Sequence, residues 1–118
     1  MAQKYIIGDV VMYNNEVHTI IDILASNGYE LSYVRHPVSP LRLSGVPITP
    51  EILEKNGWKV SSECRWIYVK EDNVKIFRLL DDIHYAAYIG FVRLLEFQHI
   101  HQLQHLLFGL GLKQEMEV

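Results

Sequence analysis

Val10-Val11-Met12-Tyr13-Asn14-Asn15-Glu16-Val17-His18-Thr19-Ile20-Ile21-Asp22-Ile23-Leu24 is the stretch that decides the fold class. Two runs of β-branched and aromatic side chains, which suit a pleated and half-buried surface, are split by a pair of asparagines. Asparagine tolerates positive φ, and a two-residue hairpin turn requires it. The pattern predicts strands over Val10 to Tyr13 and Val17 to Leu24. Downstream, Ser26-Asn27-Gly28 supplies a second turn and Tyr29 to Val34 a third strand. The amino-terminal part therefore reads as a β meander. A closed small barrel would hide its edges, so an SH3-like barrel over residues 1 to 45 is expected.

All four prolines, Pro37, Pro40, Pro47 and Pro50, fall in residues 36 to 50 together with Ser39, Ser44 and Gly45. This punctuation places a module boundary near Gly45. A short helix is expected next: Thr49 caps it, Pro50 takes the first helical position without losing a hydrogen bond, and Glu51 complements the dipole. Asn56-Gly57 ends it, with Ile52 and Leu53 as its buried contacts.

Beyond Gly57 the chain alternates, with Trp66, Tyr68 and Lys70 on one strand face and Ile67 and Val69 on the other, up to a Glu71-Asp72-Asn73 turn. Val74 to Leu80 is the return strand, and Ile83 to Leu95, whose apolar residues suit either a buried strand or a helix, is read as a third strand with a helix as the alternative. Ile100, Leu103, Leu106, Leu107 and Leu110 recur at helical spacing, and Gly109 and Gly111 supply the stop. Lys113 to Val118 is read as a short exposed tail. The expected architecture is α+β: an SH3-like small β barrel over 1–45, then an α-β-β-β-α unit over 46–118 whose last helix packs Leu103, Leu107 and Leu110 on the sheet.

The chain's 118 residues suffice for one compact domain or two small modules. Hydrophobic residues at 49% and charged residues at 21% are near globular averages, which argues against extended disorder. The net charge of -3 opposes the phosphate-neutralising surface that drives nucleic-acid binding. Three basic and four acidic side chains in residues 1–46, against eight and ten in 47–118, leave no basic arm. Cys64 is the single cysteine, which excludes an internal disulfide and fits a reducing compartment. The first residues reach charged Asp9 too soon for a signal peptide, and no apolar run approaches the roughly 18 residues of a membrane helix. A cytoplasmic protein without membrane contact is expected.

Candidate chemistry is sparse. His99-Ile100-His101-Gln102-Leu103-Gln104-His105 sets His101 and His105 four apart on one helix face, a spacing that can hold a transition metal. Two imidazoles do not complete a site, so polar-face or hydrogen-bonded histidines are the preferred reading and a metal site the alternative. Cys64 would be a nucleophile only beside a histidine, and is otherwise a small packed residue. Asp81-Asp82 reads as a solvated turn rather than an acidic catalytic pair. Tyr13, Tyr29 and Tyr33 are read first as ordinary barrel packing and strand pairing, with the aromatic groove of a peptide- or base-binding barrel as the alternative. No phosphate-cradling glycine loop is present.

Three segments carry a resemblance: Ile7-Gly8-Asp9-Val10-Val11, then Val46-Pro47-Ile48-Thr49-Pro50-Glu51-Ile52-Leu53-Glu54-Lys55-Asn56-Gly57-Trp58, then Ile100-His101-Gln102-Leu103-Gln104. In order and spacing they resemble, nearly end to end, a family of short uncharacterised Bacteroides-type proteins found in prophage-like or mobile regions. That family shows a Gly-Asn or Gly-Asp strand start, a Pro-Leu-Thr-x-Glu-Ile-Leu-x-Lys-Asn-Gly-Phe helix and a final Val-His-Gln-Leu-Gln helix. This chain departs from it with Ile48 for leucine, Trp58 for phenylalanine and a longer stretch before the last helix. The resemblance implies a bacterial cytoplasmic protein and carries no activity or cofactor. The expectation is a non-enzymatic accessory protein, with no cofactor, that binds a protein partner or itself through a barrel edge or groove. The rivals are a nucleic-acid-binding barrel gathering Lys4, Arg35 and Arg42 with the tyrosines, and a metal-dependent enzyme built on His99, His101 and His105.

Overall fold

The computed structural model describes residues 5–26, 28–70 and 73–118. Lys4, and parts of the turns expected at Ser26-Asn27-Gly28 and Glu71-Asp72-Asn73, lie outside the described residues. The described residues fold as α+β, with two antiparallel sheets and two α-helices among them. It divides into two compact units. One comprises residues 1–46 and 99–116; the other comprises 47–98 and 117–118. The carboxy-terminal helix, expected in the second module, belongs to the first.

In the first unit, β1 (Val10–Tyr13) and β2 (Glu16–Ile23) form the hairpin that the asparagines announce, with Asn14 and Asn15 at φ 50 and 63. β3 (Tyr29–Leu31) pairs with the far half of β2, and β4 (Ser44–Gly45) returns to β1. The order is β3-β2-β1-β4. Among the described residues no ladder joins β3 to β4, so this sheet is open by strand pairing. A register shift between Ile20 and Asp22 leaves Ile21 as an extra, exposed residue. Such a bulge bends β2, whose first half pairs with β1 and second half with β3. β3 ends earlier than expected because Tyr33 takes φ 62, which a continuing strand does not allow. The proline-rich segment makes an isolated bridge from Val38 to Tyr29, then a single 3₁₀ turn over Pro40–Arg42 capped by Ser39.

Helix α2 (Ile100–Gly109) completes this unit and lies against β1. Its buried stripe is Ile100, Leu103, Gln104 and Leu107 at i, i+3, i+4 and i+7, with His101 beside it. Leu110, expected in the core, caps the helix and is partly exposed. The core of the sheet is Tyr5, Val11, Tyr13, Ile20, Tyr29, Leu31, Val38 and Leu43.

The second unit opens with α1 (Pro50–Lys55). Thr49 Oγ1 accepts from Ile52 N–H at 3.3 Å, Pro50 stands in the first turn, and Gly57 at φ 90 ends the helix. Five strands follow in sequential order: β5 (Lys59–Val60), β6 (Ile67–Val69), β7 (Val74–Arg78), β8 (Tyr85–Ile89) and β9 (Val92–Phe97). The α-β-β-β-α reading is thus corrected to five strands. Residues 83 to 95, read as one strand, form the β8–β9 hairpin. Gly90 at φ 59 turns the chain in the midst of an apolar run that offered no polar punctuation. Leu53, Trp58, Tyr68, Val74, Ile76, Tyr85, Ala86, Ala87 and Phe97 are buried here.

Candidate functional site

A buried polar cluster stands at the start of β1. Asp9 has no exposed surface. Its Oδ2 accepts from Ile6 N–H at 2.8 Å and from His105 Nε2–H at 2.6 Å, while Oδ1 is buried with no partner among the described residues. Burial raises the pKa of this carboxyl, and the bonds from Ile6 and His105 oppose the rise without cancelling it. One helical turn of α2 supplies both partners of the segment: His105 reaches Asp9, and Gln104 reaches the backbone on either side of it. Gln104 Oε1 accepts from Val10 N–H at 2.8 Å, and its Nε2 donates to the Gly8 carbonyl at 2.9 Å and the Gln114 carbonyl at 3.1 Å. A side-chain amide is suited to this, having both an acceptor and two donors.

The histidines come together as a line of rings. His99 stacks on His101 at 5.7 Å, His101 meets His105 edge-on at 5.7 Å, and His101 packs edge-on to Tyr5 at 4.9 Å. His101 is buried and His105 is about one-third exposed. The helix spacing expected of His101 and His105 is present. Among the described residues, however, no three or more His, Cys, Asp or Glu side chains converge where a metal ion could be held. His105 instead spends Nε2 on Asp9. His99 caps α2, its N–H donating to Gln102 Oε1 at 2.9 Å. What this arrangement does is attach helix to sheet.

The tyrosines part company. Tyr13 and Tyr29 are buried in the sheet core, Tyr29 against Tyr5 at 5.7 Å, while Tyr33 projects fully into solvent. Two of the three thus serve as packing residues. Asp81 and Asp82 make the expected turn. Asp81 accepts from Ile83 N–H, His84 N–H and the His84 ring, and these bonds lower its pKa to about 2. Asp82, at φ 60, pairs with Arg78 at 2.9 Å.

Two apolar features of the second unit reach the surface. The first is an open depression of about 280 Å³ lined by Cys64, Trp66, Ile67, Phe77, Leu79 and Leu80 among others, with Arg65 and Arg78 stacked on the Trp66 ring. Among the described residues no histidine lines it. The second is the outer strand β9. At six residues it is the longest outer strand among the described residues, against three for β3 and two each for β4 and β5. Phe91 at the hairpin tip is fully exposed, Val92 is 63% exposed, and Leu94 is also open to solvent. Natural edges are usually blunted by lysine, proline, short length, charge or a bulge; β9 lacks the first three and carries Arg93, Glu96 and a register shift at Leu94.

The sequence reading missed Asp9, Gln104 and β9. Gln104 occupies a core position of the apolar stripe, and a polar residue there is itself the signal of a buried hydrogen-bonding role. Asp9 is indistinguishable from a solvated turn residue until α2 is brought to it. Comparison of the chain with protein-family models, with curated proteins and with solved structures finds no match.

Proposed function

We propose that this chain is a non-enzymatic accessory protein of a bacterial cell or mobile element that binds another polypeptide by accepting an extended segment along β9. The observation that carries the reading is the length of this outer strand, free of lysine and proline, with the exposed side chains of Val92 and Leu94 and the bare ring of Phe91 beside it. Strand addition of this kind draws affinity from main-chain hydrogen bonds and specificity from alternate side chains. The interaction edge expected on the amino-terminal barrel is thereby assigned to the five-stranded sheet instead.

The same reading takes the first unit as an SH3-like module. Support comes from the bend in β2 and from the pairing of the last strand with the first, Val11 with Gly45. No helix is long and apolar enough to cross a membrane among the described residues. A cytoplasmic site of action, and kinship with the short Bacteroides-type proteins, belong to the proposal with the rest. A histidine cluster committed to joining helix and sheet favours neither a metal enzyme nor a nucleic-acid role.

The test is selection of displayed peptides on the immobilised chain, followed by amide hydrogen exchange of the chain with a selected synthetic peptide. Slowed exchange over Val92–Phe97 is expected. Peptides that bind while leaving those amides unchanged would sink the reading.

A further inference from the structure

β9 carries a bulge with a chemical consequence. Ala87 pairs with Leu95 and Tyr88 with Arg93, so Leu94 is an extra residue in the ladder. In a regular strand, residues three apart point to opposite faces. The extra residue restores Arg93 and Glu96 to one face, where they form an ion pair at 2.7 Å with both side chains about half exposed. Two copies of a strand related by a two-fold axis normal to the sheet keep the same face upward. Only same-face residues can then stand opposite each other. With the axis between Leu94 and Leu95, Arg93 of each copy falls opposite Glu96 of the other, and Val92 falls opposite Phe97. The edge is self-complementary in charge because of the bulge. Its free length ends just past Phe97, where the Gln98 carbonyl accepts from Ile48 N–H at 3.0 Å.

Resting on the strand-addition reading, we infer that the segment β9 accepts is β9 of a second copy, paired antiparallel across a two-fold axis with Arg93 and Glu96 exchanged between copies. An isologous contact of this sort closes as a dimer and leaves no further edge on β9. Pairing also covers Val92 and Leu94, the exposed aliphatic side chains of the strand. A six-residue edge buries less than the roughly 1,200 Å² of a standard stable interface, so association in the micromolar range is expected. The net charge of -3 on each copy opposes encounter, and physiological salt screens it within about 8 Å.

Sedimentation equilibrium of the full chain from low micromolar to near-millimolar concentration, at physiological salt, reads the outcome. The wild-type mass is expected to rise from 13.8 kDa towards two chains. Arg93→Glu alone, or Glu96→Arg alone, sets two pairs of like charges opposite each other and weakens the dimer by about tenfold. The double variant Arg93→Glu/Glu96→Arg restores both the intrachain pair and the exchanged pairs, and returns the dimer to within about threefold of wild type. Circular dichroism of all three variants confirms folding.

A wild type that stays monomeric, a dimer indifferent to either reversal, or a double variant that fails to recover would each overturn the inference. A monomer whose β9 amides are nonetheless protected by a selected peptide refutes self-pairing alone. A dimer whose β9 amides exchange freely refutes strand addition as well.

Discussion

Replacing Gln104 with alanine tests the attachment of α2 to the first sheet. The wild-type amide has no exposed surface and makes three hydrogen bonds to main-chain groups. Truncation leaves the buried Val10 N–H and the part-buried Gly8 carbonyl without their partner, at about 1–3 kcal/mol for a fully buried group and less for a carbonyl near water. The Gln114 carbonyl sits in a segment that water reaches, so its loss adds little. With the small cavity left beside Leu103, the total is about 3–5 kcal/mol, a large part of the roughly 5–15 kcal/mol that stabilises a typical domain.

Gln104→Leu separates the contributions. It fills most of the space but orphans the same groups, so it should recover only the cavity part. Urea unfolding followed by far-UV circular dichroism measures the loss. Trp58 and Trp66 both lie in the second unit, so their emission need not follow it. Hydrogen exchange at the Val10 amide gives the local readout, and should accelerate in both variants. A cost below about 1 kcal/mol, or unchanged Val10 exchange, would refute the assignment of Gln104 as the group that satisfies β1.

Asp9→Asn addresses the buried carboxyl. Burial raises its pKa in the folded state above the unfolded value of 3.8, so the neutral form is favoured by folding. Stability from this group is fully present below the unfolded pKa and is lost as pH rises through the folded one. The asparagine variant should therefore gain on wild type as pH goes from about 3.5 to about 7, measured as the difference in urea midpoints. A difference that stays flat or reverses over that range would count against the burial argument. At Gly45, an added Cβ would stand 2.5 Å from the His99 Cγ and 2.8 Å from its Cβ. Gly45→Ala should cost about 1–3 kcal/mol and lower the thermal midpoint, whereas Gly109→Ala, which meets nothing nearby, should not. Thr49→Ala removes the cap of α1 and should cost about 1 kcal/mol by the same urea assay.

Several elements were legible because their determinants are local. Asn14-Asn15 sets a turn whatever surrounds it, since the preference for positive φ belongs to those residues. Thr49-Pro50-Glu51 starts a helix and Gly57 stops one for equally local reasons. Leu103 and Leu107 announce the buried face of α2 by spacing alone. The tail from Lys113 onward was legible only in its exposure. Its backbone is tied down by exchanges that no local pattern shows, Glu117 N–H donating to Asn56 Oδ1 and Asn56 Nδ2 donating to the Glu117 carbonyl.

Local information sufficed for the α+β class, the first hairpin and both helices. Each of these follows from residue type and period. The tertiary structure decided which sheet α2 joins, since an amphipathic stripe specifies that a helix must be covered and not by what. It decided the roles of Asp9, Gln104 and His105, whose partners lie some 95 residues apart along the chain and meet only after folding. It also decided the β8–β9 hairpin and its bulge. A continuous apolar run carries no register; the ladder against β8 is what assigns Leu94 its extra place, and the pairing of β8 with β7 on its other side leaves β9 on the outside.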